Sequence, residues 1–434
     1  MNQQFRNIFI LLLSISFACL ISACSNSDGV DNARWEATIV NQNSEESSNF
    51  SSLKLDYLPL NDTEYPYAGI PRIVIETENH REIKDRETEI PAKLQIWGEK
   101  APESDIMDLS IRGRGNTTWN YPKKPYAIKF EKKQAFLGMP EAKKWVMLAN
   151  YRDRTLIRNA VAFELARKTT LAWTPHGKFA DVFLNGKFLG NYYICEKIEV
   201  KKNRLELSDK GFLLEIDRRF DGEYKFRTTE KNLPINIKYP KNPSKQQIND
   251  IKKYIDSLEK SIYGNYKDSS DYDIFFDLKS FAEHWIIQEL AQNIEPTYPY
   301  SVYVYKDINT SLYAGPIWDF DWQTFSPKVN GLITKHALWN KALLRHNKYC
   351  EIVKEQWNLS RQRFKQINKT IDSLANYTKK SNEQNFLKWP IQIAILDTNW
   401  LAGDETLSFY TSIDMMKRTI ENRIVELDSL FNSL

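Results

Sequence analysis

Apolar positions in the first half of the chain recur every second residue, the beat of β-strands. The segments "RIVIETE" (72–78), "AKLQIWG" (92–98), "LSIRGRG" (109–115), "YAIKFEK" (126–132) and "KWVMLAN" (144–150) are short and rich in β-branched and aromatic residues. A helical pattern interrupts them at "RTLIRNAVAFELARK" (154–168), with Asp153 placed to cap it. "FADVFLNGKFLGNYYICEKI" (179–198) spells a whole hairpin, because Asn185-Gly186 is the pair that a type I′ turn favours. "GFLLEID" (211–217) follows as another strand. From Pro240 the apolar spacing turns helical, in "SKQQINDIKKYIDSLEKSIY" and "LKSFAEHWIIQELAQN". In the last segment Ile413, Met416, Ile420, Ile424, Leu427 and Phe431 mark one helix face. A short β insertion, 300–307 and 311–321, lies inside this second half. The pattern predicts an α+β protein of two lobes, β-rich over about 66–240 and helix-rich over about 241–434. A cleft between the lobes is the expected ligand site.

The first residues bear on compartment. Arg6, the apolar "NIFILLLSISFACLI" and the small residues of "ISAC" leading to Cys24 make a secretory signal with a lipoprotein-type cysteine. The apolar run is short for a bilayer span. The expectation is a signal peptide over 1–24, lipid on Cys24 holding the chain to a membrane, and a place in the bacterial cell envelope outside the cytoplasm. Residues 25–65 are polar and aperiodic, a tether that gains its first strand near Leu53–Leu58. Cys195 and Cys350 remain, either paired in an oxidising compartment or as separate buried thiols. Without a CxxC pair, and with five scattered histidines, a zinc cluster is not expected. A net charge of +4 from 60 basic and 56 acidic residues is too balanced to point to nucleic acid. Aromatic content of 13% with only 15 glycines marks a packed globular chain.

Four stretches concentrate chemistry. "IRGRGNTTWNYPKKPYAIKF" (111–130) gathers Arg112, Arg114 and Lys129 around glycines that let backbone amides approach an anion. It is either a phosphate contact or a basic surface turn. Alternation puts Lys129 on the side of Ala127, facing a cleft. "KKWVMLANYRDRTLIRN" (143–159) carries Arg152, Arg154 and Arg158, a cap and helix-surface charges in the plainer reading. "GNYYICEKIEVKKNR" (190–204) closes a strand with Glu196 and Lys197. Glu196 either pairs with a lysine such as Lys129 or makes a cross-strand ion pair without catalytic meaning. In "GPIWDFDWQTF" (315–325) a strand would turn Asp319 and Asp321 to one side and Phe320 to the core. Asn293 and Glu295 end a helix upstream. Asn, Glu and two Asp are hard oxygen ligands suited to Mg²⁺, Mn²⁺ or Ca²⁺.

In order and style, "RGRGNTTWNYPKKPYAIKF", "WVMLANYRDRTLIRNAVAFELA", "LNGKFLGNYYICEKIEVKKNR", "GFLLEID" and "GPIWDFDWQTF" resemble the CotH kinase family, from about Pro71 to Phe325. The resemblance implies an atypical protein-kinase-like fold and ATP-dependent phosphorylation of Ser/Thr in exported proteins. It implies that Lys129 contacts ATP phosphates and that Asp319, with Asp321 beside it, binds the metal ion. The family often has Asn-x-Asp where this chain has Asn293-Ile294-Glu295, so Glu295 stands at the place of the catalytic carboxylate. Two other classes stay open: a catalytically weak surface scaffold, which the longer Glu295 would permit, and a glycan-acting enzyme working with two carboxylates.

Overall fold

The first seven strands close into a barrel, some alternating between an apolar inner and a polar outer face and others, such as the first, covered on both faces. These are β1 (Arg72–Thr77), β2 (Ile90–Trp97), β3 (Met107–Gly113), β4 (Tyr126–Phe136), β5 (Met139–Leu148), β6 (Gly177–Leu184) and β7 (Lys187–Glu196). Their order is β1-β2-β3-β4-β5-β7-β6, and parallel pairing of β1 with β6 completes the ring. Ile73, Ile75, Leu94, Ile111, Ile128, Phe130, Trp145, Met147, Tyr192 and Ile194 fill its interior. The β6–β7 turn has Asn185 at φ 49 and Gly186 at φ 71, the positive pair that a type I′ turn requires. The computed structural model describes residues 58–263, 270–327, 330–390, 403–404 and 406–434. The signal segment, Cys24 and most of the tether lie outside the described residues. Packing begins before residue 66, since Tyr65 stacks on Phe188 at 4.2 Å and Asp62 pairs with Arg72 at 2.7 Å.

A second sheet, in the order β12-β11-β8-β10-β9, stands beside the barrel. It takes β8 (Phe212–Ile216), β9 (Lys225–Arg227) and β10 (Pro234–Tyr239) from before residue 240, and β11 (Val302–Lys306) and β12 (Tyr313–Ala314) from after it. A cut at 240 therefore passes through one sheet. The helices are α1 (Arg158–Ala166), α2 (Lys245–Tyr263), α3 (Leu278–Ala291), α4 (Asn340–Leu343), α5 (Asn347–Phe364), α6 (Ile367–Lys388) and α7 (Phe409–Asn432). They share one core with the second sheet, through side chains such as Leu214, Ile235, Trp285, Val304 and Phe320. The six apolar residues on the expected face of α7 are all buried. The fold is thus a mixed α+β chain, β-rich first and helical later.

Two local expectations change. Asp153 is not the N-cap of α1; that position is Ile157, which makes no side-chain cap. Asp153 lies four residues further out and reaches back, accepting the Arg158 amide at 2.9 Å while its other oxygen binds the Arg158 guanidinium at 2.6 Å. The strand expected over 311–321 stops at Ala314. Gly315 (φ 105) and Asp319 (φ 68) lie in the left-handed region and break the pleat. Asp is among the few residues other than glycine that adopt this conformation readily. Cys195 and Cys350 are both free and buried. Among the described residues no helix is long and apolar enough to cross a membrane.

Candidate functional site

Between the outer face of the barrel and one face of the second sheet, formed by Glu215, Lys238 and Tyr303 of its inner strands, lies a cleft of about 790 Å³. That volume suits a ligand of nucleotide size. Its floor is Ala127, Val146, Leu148 and Ile198, with Trp318 on the far side. The outward row is set by register, since Arg112 pairs with Ala127, and Ala127 with Val146.

The cleft is polarised. The barrel and its loops contribute Arg86, Arg112, Arg114, Lys123, Arg152 and Lys197 against the single carboxylate Glu87. The second sheet and the segments around it contribute Glu215, Asp217, Asp221, Glu295, Asp319 and Asp321 against the two cations Arg219 and Lys238. Arg112 donates to the carbonyls of Arg86 and Gly113, and Arg114 stacks over the Trp318 ring at 5.8 Å. The Gly115–Thr118 turn is clamped by Arg86, which donates to Gly115 O at 2.8 Å and Asn116 Oδ1 at 2.6 Å. Gly115 has φ 78, a conformation that most side chains would resist.

At the acidic end the carboxyl groups crowd one another. Burial first, then the charges of Asp319 and Asp321, push the Glu295 carboxyl far above its usual range, with Arg219 opposing. The Asp321 carboxyl is also raised, by burial, by Asp319 and by Asp153, and it shares a hydrogen bond with Asp319. Asp217 is raised mainly by burial. One Glu295 oxygen, Oε2, is buried without any hydrogen-bond partner. Buried acids pushed this way are a strained arrangement that a cation would relieve. Among the described residues no three His, Cys, Asp or Glu side chains form a ready metal cage.

The acidic residues are held from several directions. Asn159 Oδ1 on α1 accepts the Phe320 amide at 2.8 Å. Asn293 donates to the Asp319 carbonyl at 3.2 Å and accepts the Glu295 amide at 3.1 Å. Ser301 donates to Asp319 Oδ2 at 3.2 Å. Asp217 accepts the Ser301 and Arg219 amides, and Arg219 reaches Thr117 Oγ1 at 3.3 Å.

Of the residues singled out in the sequence, Arg112, Arg114, Arg152, Lys197, Glu295, Asp319 and Asp321 meet in this cleft. Asn293 comes close, but both ends of its carboxamide bind backbone rather than pointing at a ligand. Lys129 and Glu196 do not join the site. Lys129 lies two residues beyond Ala127 on the same outer face, roughly 7 Å further along the strand. There it is exposed and paired with Glu89 at 3.4 Å. Glu196 pairs in register with the barrel-core residue Trp145, so it turns inward and is bound by His176. Its neighbour Lys197 faces the cleft instead. Sequence reasoning also passed over Asp217, Arg219, Asn159 and Ser301. Asp217 had a signal, as the carboxylate that ends the apolar "GFLLEID" run.

A family model described as CotH kinase protein matches residues 111–427. Comparison with curated proteins finds no match.

Proposed function

Because the chain belongs to the CotH kinase protein family, we propose that it is a metal-dependent kinase that transfers the γ-phosphate of ATP to Ser/Thr hydroxyls of exported proteins. The barrel-bearing half and the helical half are the counterparts of the two lobes of a protein kinase. The observation that carries the reading is the charge polarity of one nucleotide-sized cleft, with basic groups on the barrel wall and buried carboxyls opposite. A cleft for neutral glycans would have no use for such a cationic wall.

The oxygen donors at the acidic end fit a hard divalent cation, Mg²⁺, Mn²⁺ or Ca²⁺. Asp319 and Asp321 would hold it, with phosphate oxygens and water completing the shell, as small cations in nucleotide sites prefer. Bound there, the cation would neutralise Asp319 and Asp321, remove their part in raising the Glu295 carboxyl, to which burial contributes most, and polarise the transferred phosphoryl group. Arg112 and Arg114 neutralise phosphate charge from the barrel side. Glu295 takes the proton of the acceptor hydroxyl, and its longer side chain reaches inward from the loop after α3. Trp318 and the buried Phe320 keep water from the acidic corner. Lipid on Cys24 would tether the enzyme to a membrane in the cell envelope, where exported proteins are the available substrates.

Calorimetry with ATP tests the reading. Binding that strengthens on adding Mg²⁺ or Mn²⁺ supports it; the absence of any nucleotide binding in either condition contradicts it.

A further inference from the structure

The basic wall contains a lysine that neither the resemblance nor the acidic site accounts for. Lys197, immediately after β7, is half-buried and lines the cleft beside Ile198. Its ammonium makes no hydrogen bond or ion pair with any described residue. The charged groups around it come from four elements. Lys144 on β5, Lys238 on β10 and Arg112 on β3 all disfavour its charge, and only Glu199 favours it. Glu199 is engaged by Arg204 at 2.6 Å, and Lys238 by Glu215 at 3.0 Å. Arg112 is bound to neutral carbonyls alone. Positive charge therefore accumulates around Lys197 without a carboxylate of its own. Burial and then Lys144 lower its pKa to about 8. Uncompensated cations in a half-buried cleft make a place for an anion.

We infer that Lys197, with Arg112 beside it, is the lysine that contacts the phosphates of the bound nucleotide, in place of Lys129. The inference rests on the kinase reading and names the residue that does this work. Lys129 is spoken for by Glu89 on the solvent side, whereas Lys197 faces the cavity and has no other partner.

The test compares ATP and adenosine binding, with Mg²⁺ present, in the full chain. Lys197→Met removes an unpartnered charge, so the fold should be kept, and thermal unfolding checks this. ATP affinity should fall on the order of 30-fold, as for the loss of one member of a desolvated charge pair, while adenosine affinity is unchanged. Lys197→Arg should recover most of the loss, and Lys129→Met should match the parent. A second readout is protonic. At pH 8 to 8.5 the parent should take up a proton on binding ATP, seen as heats that vary with buffer ionisation enthalpy, and Lys197→Met should not. A parent that binds ATP, with Lys197→Met binding it equally well, overturns this inference alone. It is overturned equally if Lys197→Met raises only the KM for an acidic acceptor, since the cluster then reads the acceptor. A parent that binds no ATP overturns the kinase reading, and this inference with it.

Discussion

Asn159 Oδ1 accepts the main-chain amide of Phe320 at 2.8 Å, so a side chain of helix α1 fixes the residue that separates Asp319 from Asp321. Both partners are buried. Asn159 is itself held, donating to Asn150 Oδ1 at 3.1 Å. The two carboxyls converge because Asn293 and Asn159 hold the two ends of the Asp319–Phe320 peptide that follows a left-handed Asp319, and no strand is needed. Asn159→Ala should leave the Phe320 amide unpaired, at a cost of about 1–3 kcal/mol. It should also weaken Mg²⁺-dependent ATP binding, although Asn159 carries no charge. Denaturant midpoints and calorimetry check the two effects; unaltered nucleotide binding would show that this tie does not position the acids.

In the proposed kinase, Glu295 is the expected proton acceptor. Glu295→Gln keeps its size and removes the proton acceptor, so phosphoryl transfer should vanish while ATP binding survives. Glu295→Asp should preserve or raise transfer. Positioning errors of about 1 Å cost on the order of 100-fold in rate, so the Asp variant also measures how well the longer side chain is placed. Equal transfer in parent and both variants would remove Glu295 from the role of base.

Two buried groups, Lys123 at the wall of the cleft and Asp181 behind it on β6, set a pH dependence of stability. Burial lowers the Lys123 pKa to about 7, below the ordinary 10.5, and raises that of Asp181 to about 6, above the ordinary 3.8. Between pH 7 and 10.5 the unfolded chain binds the extra lysine proton, so this term makes stability rise with pH. Between pH 3.8 and 6 the folded chain binds the extra Asp181 proton, so stability falls as pH rises. Lys123 donates to Asn191 O and, at 2.7 Å, to Asn385 Oδ1, which joins the barrel to α6. Urea midpoints of Lys123→Met should therefore rise less steeply from about pH 7 to 10 than those of the parent. Lys197 acts in the same direction above pH 8, and it is present in both proteins. Parallel curves would contradict the assignment.

Cys24→Ser should release the protein from the membrane fraction without changing its folded domain. Cell fractionation reads this directly. If the Ser variant stays as firmly bound as the parent, the signal segment itself is the anchor.

Most strands of the barrel were readable, since β3 and the first half of β4 alternate and the hairpin carries Asn185-Gly186, but their closure into a barrel was not. β9 and β10 were not, since three-residue and Pro-initiated strands offer too little pattern against a polar background. The convergence of Asp319 and Asp321 was legible, though by a different backbone route. Alternation placed Lys129 on the correct face of β4 but could not say how far along the strand the cleft extends. Lys197 was seen at the end of its strand but given no role, because it follows β7, where periodicity stops. The tie from Asn159 to Phe320 spans 161 residues, and no local pattern announces such a contact.

The central claim is cation-dependent phosphoryl transfer at Asp319, and transfer itself is its most direct test. The mature chain is incubated with γ-labelled ATP, a generic Ser/Thr acceptor protein and Mg²⁺ or Mn²⁺, and label in protein is counted for the parent and for Asp319→Asn. Asn tolerates the left-handed backbone at this position as well as Asp does, so the substitution removes charge and leaves the conformation. The account predicts label on Ser or Thr in the parent, none after chelation of the metal, and none with Asp319→Asn. Transfer that persists in Asp319→Asn, or no transfer by the parent to any acceptor with either metal, would contradict it.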